Sequence, residues 1–289
     1  MGTHFQIVSS PRRLGQAAEE AIGVIEACYL GDDEGRIVAV GALELESVTV
    51  RHVDHRPQLD AEQTQTMEAA CRRLRQRGMV VEPNPLYSVL ASSVHEGCLE
   101  LELGLTDYGQ HVAFREHPEW PNRVDVLAAA CVVGCPDGLI VERRSQKVAA
   151  QPGSYHVAPA GTVPPPQSLH QTLLAEAHEE LGLEASELEN LTCLGLVHAE
   201  RFAVKMLVAS CQTQVPLATM LARPREGSWE QTELLAAPCH PEQLPQWLAQ
   251  RGSKLTSAGR AALLMEGRRR WGQTWFALQV GKGPGHLLS

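Results

Sequence analysis

No stretch of this chain approaches the roughly 18–20 apolar residues of a membrane-spanning helix, and even LAAACVV at 127–133 is cut off by Gly134 and Pro136. A nucleic-acid surface is missing too. The 25 Lys and Arg residues are outnumbered by 34 Asp and Glu, a formal net charge of −9, which excludes general phosphate-backbone binding. No secretory leader is expected, and the eight cysteines are scattered at positions 28, 71, 98, 131, 135, 193, 211 and 239. They are expected to be free thiols of a cytoplasmic protein. Only Cys131 and Cys135 are close, and a C-x3-C spacing without a second pair lacks the four ligands of a zinc site. The tail GKGPGHLLS has three glycines but no flanking strand and helix of the Walker type, so it reads as a frayed end.

What is present is enough for one large core or two modest ones, at 289 residues and 44% hydrophobic content. Alternating apolar residues predict strands at 36–40, 43–50, 86–92 and 98–105, with a turn at DDEG (32–35). Between them, Met67, Ala70, Cys71 and Leu74 fall at helical spacing, with Asp60 as the N-cap and Gly78 as the stop. Arginines 72, 73, 75 and 77 spread around that helix and read as a solvated face. The HPEWPNR linker, with prolines at 118 and 121, marks the expected boundary between a small α/β unit at 1–120 and a second unit at 121–289.

Beyond the linker, 124–133 reads as a buried strand joined by the turn Pro136-Asp137-Gly138 to a partner at 139–143. A short strand at 155–157 leads to Gly161, and LTCLGLVHAER and FAVKMLVASCQ form two more. Glu200 between them is either a further acid for a site or a turn residue. Residues 215–235 are turn-rich, with Trp229 as the packing anchor. Two helices are expected to follow, PEQLPQWLAQ and one capped by Ser257.

The chain is organised around GTVPPPQSLHQTLLAEAHEELGL (161–183), where a Gly/Pro turn enters a helix carrying Glu176, Glu179 and Glu180. Positions i, i+3 and i+4 share a helix face, so the three carboxylates stand together and repel. That arrangement is either a solvated acidic face or a seat for a hard, oxygen-seeking cation, Mg2+ or Mn2+. His178, directly before Glu179, points off the shared face, and both it and His170 are left out of the ligand set. Arg143, Arg144 and Lys147 concentrate positive charge just before this turn, either as an ordinary basic loop or to hold a substrate phosphate. Tyr108 is a packing aromatic or a platform for a base.

This segment resembles the signature of the Nudix hydrolase family, a glycine, five residues, a glutamate, seven residues, then R-E-apolar-x-E-E-x-G-apolar. Gly161, Glu176, Ala177, Glu179, Glu180, Gly182 and Leu183 are in register, while Gln167 replaces the first glutamate and Ala175 the arginine. HRP (55–57), LELGLTDY (101–108) and ERRSQKVAAQPGSYHVAPAG (142–161) are similar to the subgroup that hydrolyses UDP-glucose and UDP-galactose. The resemblance implies an α/β/α sandwich with an added N-terminal α/β region. It further implies Glu176, Glu179 and Glu180 as metal ligands and catalytic acids, with Arg143, Arg144, Lys147, Tyr108 and Gly161 binding substrate. The implied reaction splits the diphosphate of a nucleoside diphosphate sugar into UMP and sugar 1-phosphate, in a monomer or homodimer. The two departures leave open a binding module that has kept the fold without the chemistry.

Overall fold

Helices begin where the sequence offers a cap. In the computed structural model, which describes residues 23–29, 35–45, 48–81, 84–95 and 97–280, α1 (Ala61–Gln76) opens on a capping box of Asp60 and Gln63. The Asp60 carboxylate accepts the Gln63 N–H at 2.8 Å, satisfying one of the first-turn donors that a helix leaves unpaired. Helix α3 (Leu169–Leu181) opens the same way on Ser168 and Gln171 and stops at Gly182, whose φ of 66° suits the left-handed C-cap. The predicted turn at 32–35, apart from Gly35, and the tail from 281 lie outside the described residues.

The described strands join into one twelve-stranded mixed sheet. Its main path runs β1 (Gly23–Tyr29), β2 (Gly35–Glu44), β10 (Glu189–Ala199), β11 (Val204–Gln212), β6 (Asp125–Cys135), β4 (Pro85–His95), β5 (Cys98–Asp107), β3 (Val48–His52). Strands from both sides of the Pro118–Pro121 linker are thus interleaved: β2 pairs with β10, and β4 pairs with β6 at Ser88↔Val126. Along β6 the pairing changes hands. Beyond Val126 its free side takes β9 (Ala160–Thr162) at Ala128–Ala130, and then β7 (Gly138–Arg144) at Gly134 and Cys135. Strand β8 (Tyr155–Val157) pairs with β7, as does β12 (Gln231–Ala237).

Because side chains alternate along a strand, the two faces of β6 and β11 feed two cores. Ala128, Ala130, Val132 and Val208 pack with α5 (Gln243–Arg251) and α6 (Ser257–Gln279), through Leu244, Ala261 and Leu264. Leu127, Ala129, Leu207 and Ala209 pack on the other side with Leu173, Ala177 and Leu181 of α3. The result is mixed α/β, a central sheet with helices on both faces, as expected.

Three local readings are corrected and one helix is added. The second expected strand splits into the end of β2 and β3. Residues 108–116 form a helix, α2 (Tyr108–Glu116), because the Asp107 carboxylate accepts the Gln110 N–H at 2.9 Å and ends the strand as an N-cap. Thr256 caps α6 in place of Ser257, its hydroxyl accepting the Gly259 N–H. The turn-rich 215–235 contains a short helix, α4 (Leu217–Ala222), and strand β12, and Trp229 is 40% exposed, so it anchors no core.

Candidate functional site

A cavity of ≈ 490 Å³ opens where β6 leaves β4 for β9. Three of the chain segments that wall it supply most of its ionisable side chains. The segment from Val80 to Arg115 contributes Tyr108, His111 and Arg115; the end of β7 and the loop after it contribute Arg144 and Lys147; the Gly161 turn and α3 contribute Gly161, Glu176 and Glu179. Seven of the eight residues expected at the site therefore meet around this cavity: six line it, and Glu180 is buried behind Ala160, whose N–H its Oε2 accepts at 3.0 Å. Arg143 is not among the lining residues. It alternates with Glu142 and Arg144 on β7, is exposed, and its Nε donates to the Gly153 carbonyl at 3.2 Å.

The three α3 acids stand in different surroundings although they share a helix face. Glu180 is buried, Glu176 half-buried and Glu179 exposed. Gly161 lies so close to Glu176 that a β-carbon there would overlap the Glu176 carboxylate. A fourth acid, Glu142 of β7, is 1% exposed, with Oε1 3.4 Å from Arg144 Nη1 and Oε2 without a hydrogen-bond partner. Glu230, on the cavity wall, is a fifth.

These groups are coupled. Burial, then repulsion from Glu179, Glu230 and Glu142, pushes Glu176 up to about 8. Burial pushes Glu142 up to about 7, against the pull of Arg144. Glu180 is raised well above the carboxylate range by burial and then by Glu142 and Glu176, with the Ala160 N–H acting in the opposite direction. Burial likewise raises Glu230. Burial also holds His111 and His156, which line the cavity, down at about 3, so both rings are neutral.

The departures from the signature have structural consequences. Ala175 brings only a methyl to the cavity wall, and the guanidinium touching the acid cluster comes from another element, Arg144 of β7. Gln167 lines the cavity and accepts the Thr172 hydroxyl at 3.2 Å. Glu200 sits in a turn between β10 and β11, 3.8 Å from Arg36, and is not among the residues that line the cavity; the turn reading holds. His178 is exposed and 3.3 Å from Glu184.

An all-oxygen donor set with a buried, unpartnered carboxylate oxygen suits a hard divalent cation in kind. Its convergence is incomplete: among the described residues, no three His, Cys, Asp or Glu side chains gather closely enough to hold a metal ion. Sequence reasoning missed Glu142, Glu230, His111 and Arg115. For Glu142 a signal existed, since a charged residue in the inward register of GLIVERR needs a reason to be buried.

No family model matches this chain, and no curated protein matches it. Solved structures do. A putative Nudix hydrolase family member from Chromobacterium violaceum aligns at 22% identity and a TM-score of 0.35, over 54% of this chain and 85% of its own. A Nudix hydrolase from M. smegmatis, RenU, aligns at 18% and 0.34, over 50% and 83%. A MutT protein from Methanosarcina mazei Go1 aligns at 17% and 0.35, over 50% and 94%. No helix among the described residues is long and apolar enough to cross a membrane.

Proposed function

We propose that this chain is a binding module of Nudix type that takes a nucleoside diphosphate sugar, UDP-glucose or UDP-galactose, in the ≈ 490 Å³ cavity. The observation that carries this reading is the pairing of opposite charges on one wall system: Arg115, Arg144 and Lys147 at one part, Glu176 and Glu179 at another. A diphosphate needs the cations, bidentate where a guanidinium is free. The acids accept hydrogen bonds from sugar hydroxyls or share a cation with the diphosphate. Tyr108, half-buried on the same wall, offers a face to a base. The incomplete metal group, with Gln167 and Ala175 in place of the signature's glutamate and arginine, ranks binding ahead of turnover.

A second reading, metal-dependent hydrolysis to UMP and sugar 1-phosphate, is favoured by one observation. Burial raises the proton affinity of Glu142, Glu176, Glu180 and Glu230, and a divalent cation would displace the protons they take up. Glu176, Glu180 and Glu179 would hold Mg2+, or Mn2+, which when bound lowers the pKa of water and neutralises diphosphate oxygens. The residues themselves then have separate tasks: Arg144 and Lys147 orient the diphosphate, and Glu179, the exposed acid, accepts a proton.

One experiment separates the two. Calorimetric titration with UDP-glucose, UDP-galactose, ADP-ribose and UTP, each with Mg2+ and with chelator, reports binding, and chromatography of the same samples reports products. Binding of UDP-sugars without products supports the first reading; Mg2+-dependent UMP supports the second. Absence of binding by every member of the panel refutes both.

A further inference from the structure

A second cavity, of ≈ 460 Å³, lies on the other face of the sheet. Lys205 and Asp125 open into it, whereas their strand neighbours Val204, Met206 and Ala128 line the first cavity. Two loops complete it. One carries His55, Arg56 and Pro57, the HRP segment that has no place in the first cavity; the other is Pro121 to Val124. Asn122 ties the loops together, its Nδ2 donating to the Gln58 carbonyl at 2.5 Å.

The charges in this wall do not balance. Arg56, Arg123 and Lys205 face it, against the single carboxylate of Asp125. Arg56 is matched from outside the cavity by Asp107 at 3.1 Å. Asp125 is already engaged by His198 Nε2 at 3.0 Å and by Arg123 at 3.7 Å. Lys205 makes no hydrogen bond or close ion pair with a described residue, only a longer-range attraction to Asp125. The buried Nε of Arg123 is also without a partner. Burial depresses the Lys205 ammonium, the direction expected for a cation short of a counter-ion.

We infer that this second cavity is a site for a small phosphorylated anion, held by Lys205 and Arg123 with Arg56 and His55 at its mouth. Its volume admits a phosphate bearing a sugar or nucleoside. A compact ammonium and a planar guanidinium at one wall match the point-charge and forked modes of phosphate recognition. The site is independent of the function proposed for the first cavity.

The test uses the full chain at low ionic strength, titrated with inorganic phosphate, glucose 1-phosphate and UMP while amide shifts are followed on β11 near Lys205 and at Ala160–Gly161. In the wild type the β11 shifts move with saturable binding; inorganic phosphate alone sufficing would identify free phosphate as the ligand, and preference for an ester would add contacts to the attached group. Lys205→Gln weakens the β11 response about tenfold or more, the size of one charge-assisted contact. Lys205→Arg retains most of it, and Arg144→Gln, in the other cavity, leaves it unchanged. Melting curves show that each variant is folded. An unaltered β11 response in Lys205→Gln, its loss in Arg144→Gln, or no β11 response to any of the three anions at millimolar concentration overturns the assignment.

Discussion

Gly161 and Glu176 occupy mutually exclusive space: any side chain at 161 would displace the carboxylate of 176. The obstructing atoms are the far end of a flexible side chain, so Gly161→Ala is expected to melt within a few degrees of wild type. Glu176 would swing away from its place. Binding of Mn2+, followed by electron paramagnetic resonance, is expected to weaken about tenfold, the loss of one charged contact. Unchanged Mn2+ binding would remove Glu176 from the site.

Glu180→Gln separates charge from structure, because a glutamine Oε1 still accepts the Ala160 N–H that Glu180 holds at 3.0 Å. If the chain hydrolyses UDP-sugars, this variant should turn over about 10^2-fold more slowly. Glu187→Gln serves as the control, since Glu187 is bound to Arg223 at 2.6 Å and does not line the cavity. Equal rates for Glu180→Gln and wild type at saturating Mg2+ would contradict the hydrolytic reading.

The raised carboxylates set the pH dependence of the cation-free protein. Between their unfolded pKa, near 4.5, and their folded values of about 7 for Glu142 and about 8 for Glu176, the folded chain holds more protons than the unfolded one. Stability from these groups is therefore full below pH 4.5 and is lost as pH rises through 7 to 8. Melting temperature should fall by several degrees between pH 5.5 and 8.5, at about 2–4 °C per kcal/mol for a chain of this size. Added Mg2+ should recover part of the loss at pH 8.5 and little at pH 5.5. A flat melting temperature across that range would refute the coupling.

Arg144 is the guanidinium beside Glu142, at 3.4 Å. Its replacement by alanine is expected to destabilise the fold by on the order of 1–2 kcal/mol at pH 8. The cost should shrink at pH 5, where Glu142 is protonated and needs no partner. Denaturant titration at the two pH values measures the difference; an equal cost at both would assign Arg144 to packing alone.

Residues 122–289 expressed alone lack β2, the partner of β10, and β4, the partner of β6. Such a fragment exposes two unpaired strand edges and is expected to aggregate or remain unfolded. A monomeric fragment with a cooperative melt and wild-type affinity for UDP-glucose would show that 1–120 has no part in the substrate site.

The sequence by itself determined what depends on neighbours within a turn or two. Asp60 announced the start of α1 and Gly78 its end, and the i, i+3, i+4 rule put Glu176, Glu179 and Glu180 on one face of α3. Alternation located β4 and β5, and apolar runs located β6, β10 and β11, to within a few residues. Tertiary structure decided what depends on distant partners. It interleaved strands across the Pro118–Pro121 linker, because pairing of β2 with β10 is a choice among edges that no local pattern encodes. It graded three equivalent-looking acids into buried, half-buried and exposed, since burial follows from what packs against a helix and not from the helix. It also brought Glu142 and Arg144 from β7 to a cluster whose own helix supplies no arginine, a substitution visible only once the two elements touch.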